Sequence, residues 1–382
     1  MPWECCSLKQ VRLDMVLEME AEGANVAAVC RKYKVSRKTG YKWLHRYRDS
    51  GADALSDRSR RPEHSPWQTA PQVRESILSY ARAHDDWGPA KVHAKLRERG
   101  VDLPCERTVH RIMEHADLTD RRKPKSHECN RFERAEPNEL WQLDFKGAIS
   151  IGEGRARGAK GVPLGILDDH SRFLVCVRAL PDQCLETFWP VVWDTFGEYG
   201  LPEAILTDNE NGLFASHRHG MTTWTARLCR LGIRHLRGRP YHPQTQGKIE
   251  RYHGTLKREL LRHRHFASLE ELQEGLDGFR QCYNHERPHE ALNQKPPITR
   301  YRPSDRPRPD SIPQPEYAPN ATLRKVTQAG YISLQGCRVH VGEGLTGEFV
   351  EVREEETAFE LYYCGTRFRI VKCDALNNRG WV

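Results

Sequence analysis

The sequence predicts a multidomain chain, all-α at its amino end, mixed α/β in its middle and a small all-β barrel at its carboxyl end. Three observations carry this. Apolar residues recur at helical spacing as far as Met113, alternate or run as short strands from about Leu140, and from Thr322 fall into β-branched and aromatic runs parted by Gly-containing turns. At 382 residues the chain has length for several domains. Two stretches break the patterns: 57–70, polar, basic and Pro-containing, and 302–320, rich in Pro and Arg and unable to sustain a helix. The expected divisions are therefore 1–56, the linker 57–70, 71–125, 130–301, the linker 302–320 and 321–376.

The first helices follow from Val11, Met15, Leu17 and Met19, then Val26, Val29, Cys30 and Tyr33. A turn at Lys34-Val35-Ser36 leads into a helix that Ser36 can cap, running to about Arg48. In it Tyr41, Leu44 and Tyr47 recur beside Trp43, while Arg37, Lys38, Lys42, Arg46 and Arg48 supply positive charge. Helix, short turn and basic helix suggest a helix-turn-helix, and a plain helical hairpin with a solvated basic face fits this segment equally well. A second three-helix unit of similar size follows from Val73, Ile77 and Tyr80, from Val92 and Leu96 after Trp87-Gly88-Pro89, and from Val109, Ile112 and Met113 after Thr108. The net charge is +8, and all but one unit of it lies in the first 125 residues, which fits a polyanion held by this third of the chain.

In the middle segment Trp141, Leu143 and Phe145 alternate with polar residues, and Leu164 to Leu180 holds two apolar runs around Asp168-Asp169-His170-Ser171-Arg172, as consecutive antiparallel strands would. A helix over 183–199 carries Trp189, Val192, Trp193 and Phe196, with Pro190 predicting a kink or an early start. A short buried strand, Ala204-Ile205-Leu206, ends at Thr207-Asp208. Strands first, then alternating helix and strand, give a mixed α/β domain. Beyond Thr322 five short strands (331–334, 339–341, 349–352, 359–363 and 368–371) suggest the barrel.

Composition narrows the function classes. With 38% hydrophobic residues and 9 Trp, 13 Tyr and 11 Phe, the chain is not disordered throughout. It has no apolar run long enough for a membrane helix and no signal-peptide pattern at its start, so a soluble cytosolic protein is expected. The 12 Cys include no Cys-x-x-Cys pair, which argues for reduced, mostly structural thiols. His217, His219, His242, His253, His263 and His265 lack the closed set of soft ligands that structural zinc needs.

Three carboxylates lie where strands or helices would present them: Asp144 within the first strand, Asp208 at a strand end and Glu250 on a helix. Such a triad suits Mg²⁺, a hard cation with oxygen ligands, whereas crowding without metal costs on the order of 4 kcal/mol per close pair at an effective dielectric near 20. Among 52 acidic residues spacing alone is unspecific, so local context decides: Trp141-Gln142-Leu143-Asp144-Phe145, Leu206-Thr207-Asp208-Asn209, and the run from Tyr241 to Arg251 through His242-Pro243-Gln244-Thr245-Gln246-Gly247. On the helix Ile249, Tyr252, Leu256 and Leu260 form a packing stripe with Gln246, Glu250 and Lys257 along its border. From Arg237 to Arg264 the only acids are Glu250 and Glu259, and basic residues abound, an attractive surface for a phosphate backbone.

At these positions the chain resembles the integrase-core DDE transposases of bacterial insertion sequences, relatives of retroviral integrases. The match extends through Asp168 to Arg172 and through Tyr283-Asn284, Arg287-Pro288-His289 and Leu292, covering roughly 130–305. The resemblance implies a ribonuclease H-like core of mixed sheet and an SH3-like final barrel. It also implies Asp144, Asp208 and Glu250 as catalytic and metal-binding residues for two Mg²⁺ ions, with Mn²⁺ able to substitute. It further implies 3′-end hydrolysis and strand transfer on double-stranded DNA by at least a dimer in a bacterial cytoplasm, associated with the nucleoid. Arg37, Lys38, Lys42, Arg46, Arg48, Gln246, Lys248, Arg251, Lys257 and Arg258 are the expected DNA contacts. An inactive DNA-binding regulator and a nuclease that cuts without joining are the alternatives. Two departures stand out: Asp208-Asn209-Glu210-Asn211-Gly212 replaces the usual Asp-Asn-Gly, making Glu210 a substitute ligand to weigh, and the interval from Asp208 to Glu250 is long, with an insertion around 217–225. The paired His and Cys zinc module of retroviral integrases is absent.

Overall fold

The computed structural model describes residues 7–57, 68–119, 133–152, 159–209, 213–216, 220–238 and 247–373. They fall into two compact units, divided between Gln68 and Thr69.

In the first unit α1 (Leu8–Glu20), α2 (Val26–Lys32) and α3 (Arg37–Ser50) begin at side-chain caps from Ser7, Asn25 and Ser36. Each cap accepts backbone N–H groups that the first helical turn leaves unpaired. Lys34 takes a left-handed φ of 53° and turns the chain from α2 into α3. Met15, Val16, Met19, Cys30, Trp43, Leu44 and Leu55 make the core. Gly40 lets α3 approach α1 and α2, because a Cβ there would meet Cys30 Sγ and would lie 2.9 Å from Met19 Cε. The buried stripe of α3 is thus Gly40, Trp43 and Leu44, and Tyr41, expected on it, is 45% exposed.

The second unit opens with α4 (Pro71–Ala83), α5 (Pro89–Glu98) and α6 (Glu106–His115), packed around Ile77, Trp87, Val92, Leu96, Val109 and Met113 as the periodicity predicts. The central sheet has β1 (Trp141–Phe145), β2 (Ile149–Ile151), β3 (Ala159–Asp168), β4 (Leu174–Leu180), β5 (Ala204–Thr207) and β6 (Arg234–Arg237). Its order is β2-β3-β1-β5-β6, with β4 also paired to β3; β1, β5 and β6 are parallel and the other pairs antiparallel. One core cluster joins α7 (Leu185–Tyr199) and α8 (Thr223–Arg230) to the sheet through Phe188, Val192, Phe196 and Trp224. Another joins α9 (Gly247–Leu256) and α10 (Leu269–His285) to it through Ile249, Tyr252, Leu272 and Tyr283. Helix α7 continues through Pro190.

The stretch after Tyr301 is extended, as expected, yet pinned. Arg306 donates to the carbonyls of Pro202, Leu231 and Gly232, Leu201 N donates to Arg306 O, and the Arg308 guanidinium lies 4.8 Å from the Trp193 ring. Among the described residues the carboxyl segment holds six strands rather than five: β7 (Leu323–Lys325), β8 (Tyr331–Leu334), β9 (Cys337–His340), β10 (Phe349–Glu354), β11 (Ala358–Tyr363) and β12 (Thr366–Lys372). They pair as an open sheet, β12-β11-β10-β7, and a separate β8-β9 hairpin, so among the described residues the pairing does not close the expected barrel. Both pieces enclose one core, which Met221 and Ala226 of the central region complete. Among the described residues no helix is long and apolar enough to cross a membrane.

Candidate active site

Parallel pairing places two carboxylates side by side. Gln142 is in register with Leu206, so Asp144 and Asp208, each two residues further on, come to the same edge. Asp144 Oδ1 accepts Phe145 N–H at 2.9 Å. Beyond β5, Asn209 Nδ2 donates to Gly238 O at 2.5 Å and Gly238 N to Thr207 O at 3.0 Å, so the ends of β5 and β6 are tied together.

The third carboxylate arrives on α9, which is held to the sheet at several points. Gly165, paired with Asp144, leaves room for the Tyr252 ring; a Cβ there would sit 2.8 Å from Tyr252 Cε1. Gln142, buried, accepts Ile249 N–H at 3.2 Å through Oε1 and donates to Asp169 at 2.8 Å through Nε2. Asp169, also buried, holds Lys248 Nζ at 2.5 Å and accepts Arg134 N–H at 2.9 Å. Its neighbour Asp168 accepts from Asn138 N, Ser171 N and Ser171 Oγ. The Asp168 to Arg172 turn is therefore a brace for the Glu250 helix. Glu250 itself is exposed and the Asp144 side chain 23% exposed.

Burial, then Asp208 and Glu250, push the Asp144 carboxyl up to about 6 against the opposing Phe145 N–H bond and Lys146. Close like charges do this, because ionising one penalises the next. His253 Nδ1 lies 3.5 Å from Asp144 Oδ2, and burial pushes that imidazole down to about 4, so it stands beside the carboxylate as a neutral ring at pH 7. Asp144 thus feels two further carboxylates, Asp208 and Glu250, and borders one neutral ring, a gathering of oxygen donors of the kind that hard divalent cations take.

The expected DNA contacts are dispersed. Arg37, Lys38, Lys42 and Arg48 are exposed on α3; Arg48 pairs with Glu20 at 2.7 Å, and Lys42 and Arg46 lie 4.5 and 5.0 Å from the Trp43 ring. Arg251, Lys257 and Arg258 are exposed on α9 and the π-helical turn Lys257–Leu261 that continues it. Lys248 is committed to Asp169, while Gln246, Glu210, His217, His219 and His242 lie outside the described residues. Among the described residues the one His and carboxylate cluster with metal-like spacing is Asp85, Asp86 and His263, away from the triad. The sequence places Gln142 in the motif around Asp144, Asp169 in the Asp168 to Arg172 turn and His253 among the histidines, but gives none of them these contacts, whose partners are remote in sequence.

Residues 231–297 match the integrase core domain, 11–63 a helix-turn-helix domain and 39–113 a homeodomain-like domain. The uncharacterised 39.2 kDa protein of insertion element IS476 of Xanthomonas euvesicatoria is 25% identical over 228 residues, 58% of this chain and 62% of the relative. The chain thus spans less than two thirds of that relative's length. The IS407 protein of Burkholderia multivorans is 25% identical over 235 residues, 58% of this chain and 77% of the relative. The chain carries an integrase core domain and helix-turn-helix domains and is similar to insertion-element proteins. The integrase-core match includes β6, α9, Glu250 and α10, whereas Asp144 and Asp208 lie before it. Protein YlbG of Escherichia coli is 30% identical over 86 residues, 22% of this chain and 70% of the relative. Among solved structures, the HTLV-2 integrase catalytic core domain in complex with magnesium is 17% identical, covering 44% of this chain and 99% of its own, with a TM-score of 0.32.

Proposed function

We propose that this integrase-core protein is a DNA transposase that binds the terminal inverted repeats of its element, hydrolyses their 3′ ends and joins them to target DNA. The observation that carries this is the meeting of Asp144, Asp208 and Glu250, with Asp144 pushed up to about 6 by burial and by the other two. In this reading those three carboxylates hold two Mg²⁺ ions, or Mn²⁺. When bound, the ions supply the positive charge that offsets charge developing on the transferring phosphoryl group.

The chain's own residues do the rest. Asp144 and Asp208 are positioned by strand register and Glu250 by the brace of Gln142 and Asp169 on α9, so little reorganisation is needed when substrate arrives. Neutral His253 keeps a ring rather than a competing cation against Asp144. Exposed Arg251, Lys257 and Arg258 attract the phosphate backbone beside the carboxylates, and α3 with Arg37, Lys38, Lys42, Arg46 and Arg48 reads the element's end in the major groove. We assign 130–301 as the ribonuclease H-like catalytic domain, 1–56 and 71–125 as end-binding domains, and 321–376 as an SH3-like module joined by 302–320. Two-ended chemistry requires at least a dimer on DNA, acting in the cytoplasm at the nucleoid.

The test is incubation of the full chain with labelled duplex carrying the element's end, in Mg²⁺ and in EDTA, scoring 3′-end cleavage and joining to a second duplex. Metal-dependent cleavage and joining are expected, both lost in Asp208→Asn while end binding persists. Cleavage without joining identifies a nuclease, and binding without cleavage in either Mg²⁺ or Mn²⁺ identifies a regulator.

A further inference from the structure

Asp208 ends a chain of hydrogen bonds that begins where the carboxyl β-strands dock on the central region. Thr222 caps α8; its Oγ1 lies 3.2 Å from Thr225 Oγ1, which lies 2.9 Å from His235 Nδ1. On the other side of the ring His235 Nε2 lies 2.9 Å from Thr207 Oγ1, and Thr207 Oγ1 donates to the main-chain carbonyl of Asp208 at 3.0 Å. The direction of this chain follows from chemistry. A carbonyl oxygen only accepts, so the single Thr207 hydroxyl proton goes to Asp208 O, and His235 must donate to Thr207 from Nε2. A neutral ring then accepts at Nδ1 from Thr225, whose own oxygen is left to accept from Thr222. The ring is packed near Phe214 and Trp224, 6.4 and 6.3 Å between centroids, and its surroundings favour the neutral form this order requires.

The outer end is fixed by main chain. Met221 N donates to Val341 O at 2.8 Å, and Gly344 N donates to Met221 O at 3.2 Å. Gly344 is pressed so closely on the Thr222–Thr223 peptide that any Cβ would overlap it.

We propose that His235 is a positioning residue for Asp208, fixing through Thr207 the main chain that carries the carboxylate, and that the docked carboxyl β-strands steady it through Thr222 and Thr225. This rests on the reading of Asp208 as a metal ligand. Hydrogen-bond partners behind a ligand change metal affinity by about 10-fold or more when removed.

The test measures Mn²⁺ affinity by electron paramagnetic resonance on the full-length protein, without DNA. His235→Phe keeps the ring and removes both bonds; Thr225→Val removes one hydroxyl and Thr225→Ser restores it. We expect Mn²⁺ affinity to fall about 10-fold in His235→Phe and Thr225→Val and to recover in Thr225→Ser. Gly344→Ala should weaken Mn²⁺ as well, with an effect that does not add to that of Thr225→Val. Thr195→Val, which breaks a buried hydroxyl bond to Val191 O on α7, controls for loss of stability and should leave affinity unchanged. Unchanged affinity in His235→Phe and Thr225→Val, with loss in Asp208→Asn, overturns the inference and leaves the metal site standing. Unchanged affinity in Asp208→Asn removes the metal-site reading, and the inference falls with it.

Discussion

Asp144 bears the electrostatic strain of the site, since burial and two neighbouring carboxylates raise its pKa from 3.8 to about 6. A carboxylate whose folded pKa is raised contributes most below its unfolded pKa, and that contribution is lost as pH rises through 6. At pH 7 the metal-free protein carries the full penalty, at most about 3 kcal/mol for two pKa units. Asp144→Asn should therefore raise the metal-free melting temperature at pH 7 and abolish the further rise that Mg²⁺ gives the wild type; calorimetry with and without Mg²⁺ checks both. Asp144, Asp208 and Glu250 could be singled out from the sequence because each sits in a distinctive local run. Gln142, Asp169, His253 and His235 could not, because what they touch is decided by strand register and helix packing across long separations: Gln142 meets Ile249, and His235 meets Thr207.

Elements with one buried and one wet face were read well, and edges were not. Strands β6 (Arg-His-Leu-Arg) and β7 (Leu-Arg-Lys) escape the hydrophobic pattern because each lies at the edge of its sheet, where charged residues discourage pairing with other chains. Helix α9 and the π-helical turn that continues it carry two kinds of lysine. Lys248 is used up by Asp169 and Lys257 is exposed, so Lys257→Gln should reduce the slope of log K against log salt for DNA binding by about 1, whereas Lys248→Gln should leave the slope unchanged. Titrations at several salt concentrations distinguish them. Gly40 in α3 gives an inverted result. In most helices Gly→Ala stabilises by about 1 kcal/mol, but here the new methyl overlaps Cys30 and Met19, so Gly40→Ala should destabilise the first unit by about 1 to 3 kcal/mol in urea. The expected Tyr41 stripe failed for a related reason, since the glycine sets which face of α3 is closest to its neighbours.

At the level of the whole chain, three histidines of the second unit are held neutral by their surroundings: His235 at about 3, His253 at about 4 and His289 at about 2. Each folded pKa is depressed below 6.5, so the unfolded chain takes up more protons and stability falls as pH drops below 6.5, by up to about 1.4 kcal/mol per unit for each ring. Burial lowers His84 in the same sense, while Asp144 and Asp168, both raised by burial, pull the other way, two groups against four. The second unit should therefore lose stability between pH 6.5 and 4.5 more steeply than the first; hydrogen exchange resolved by segment measures this, and equal losses would reject it. The broad order of helical, mixed and β segments was legible from pattern alone. The attachments were not: Arg306 and Arg308 read as spacer residues yet fasten their segment to the core, through carbonyls no sequence pattern marks. Docking at Gly344 adds contacts of the same kind, made by peptide groups, to the apolar packing of Met221 and Ala226. Among diverging copies of this chain, nearly every surface residue of the carboxyl strands is then free to drift while Gly344 stays fixed, so the seam outlasts the sequence on either side of it.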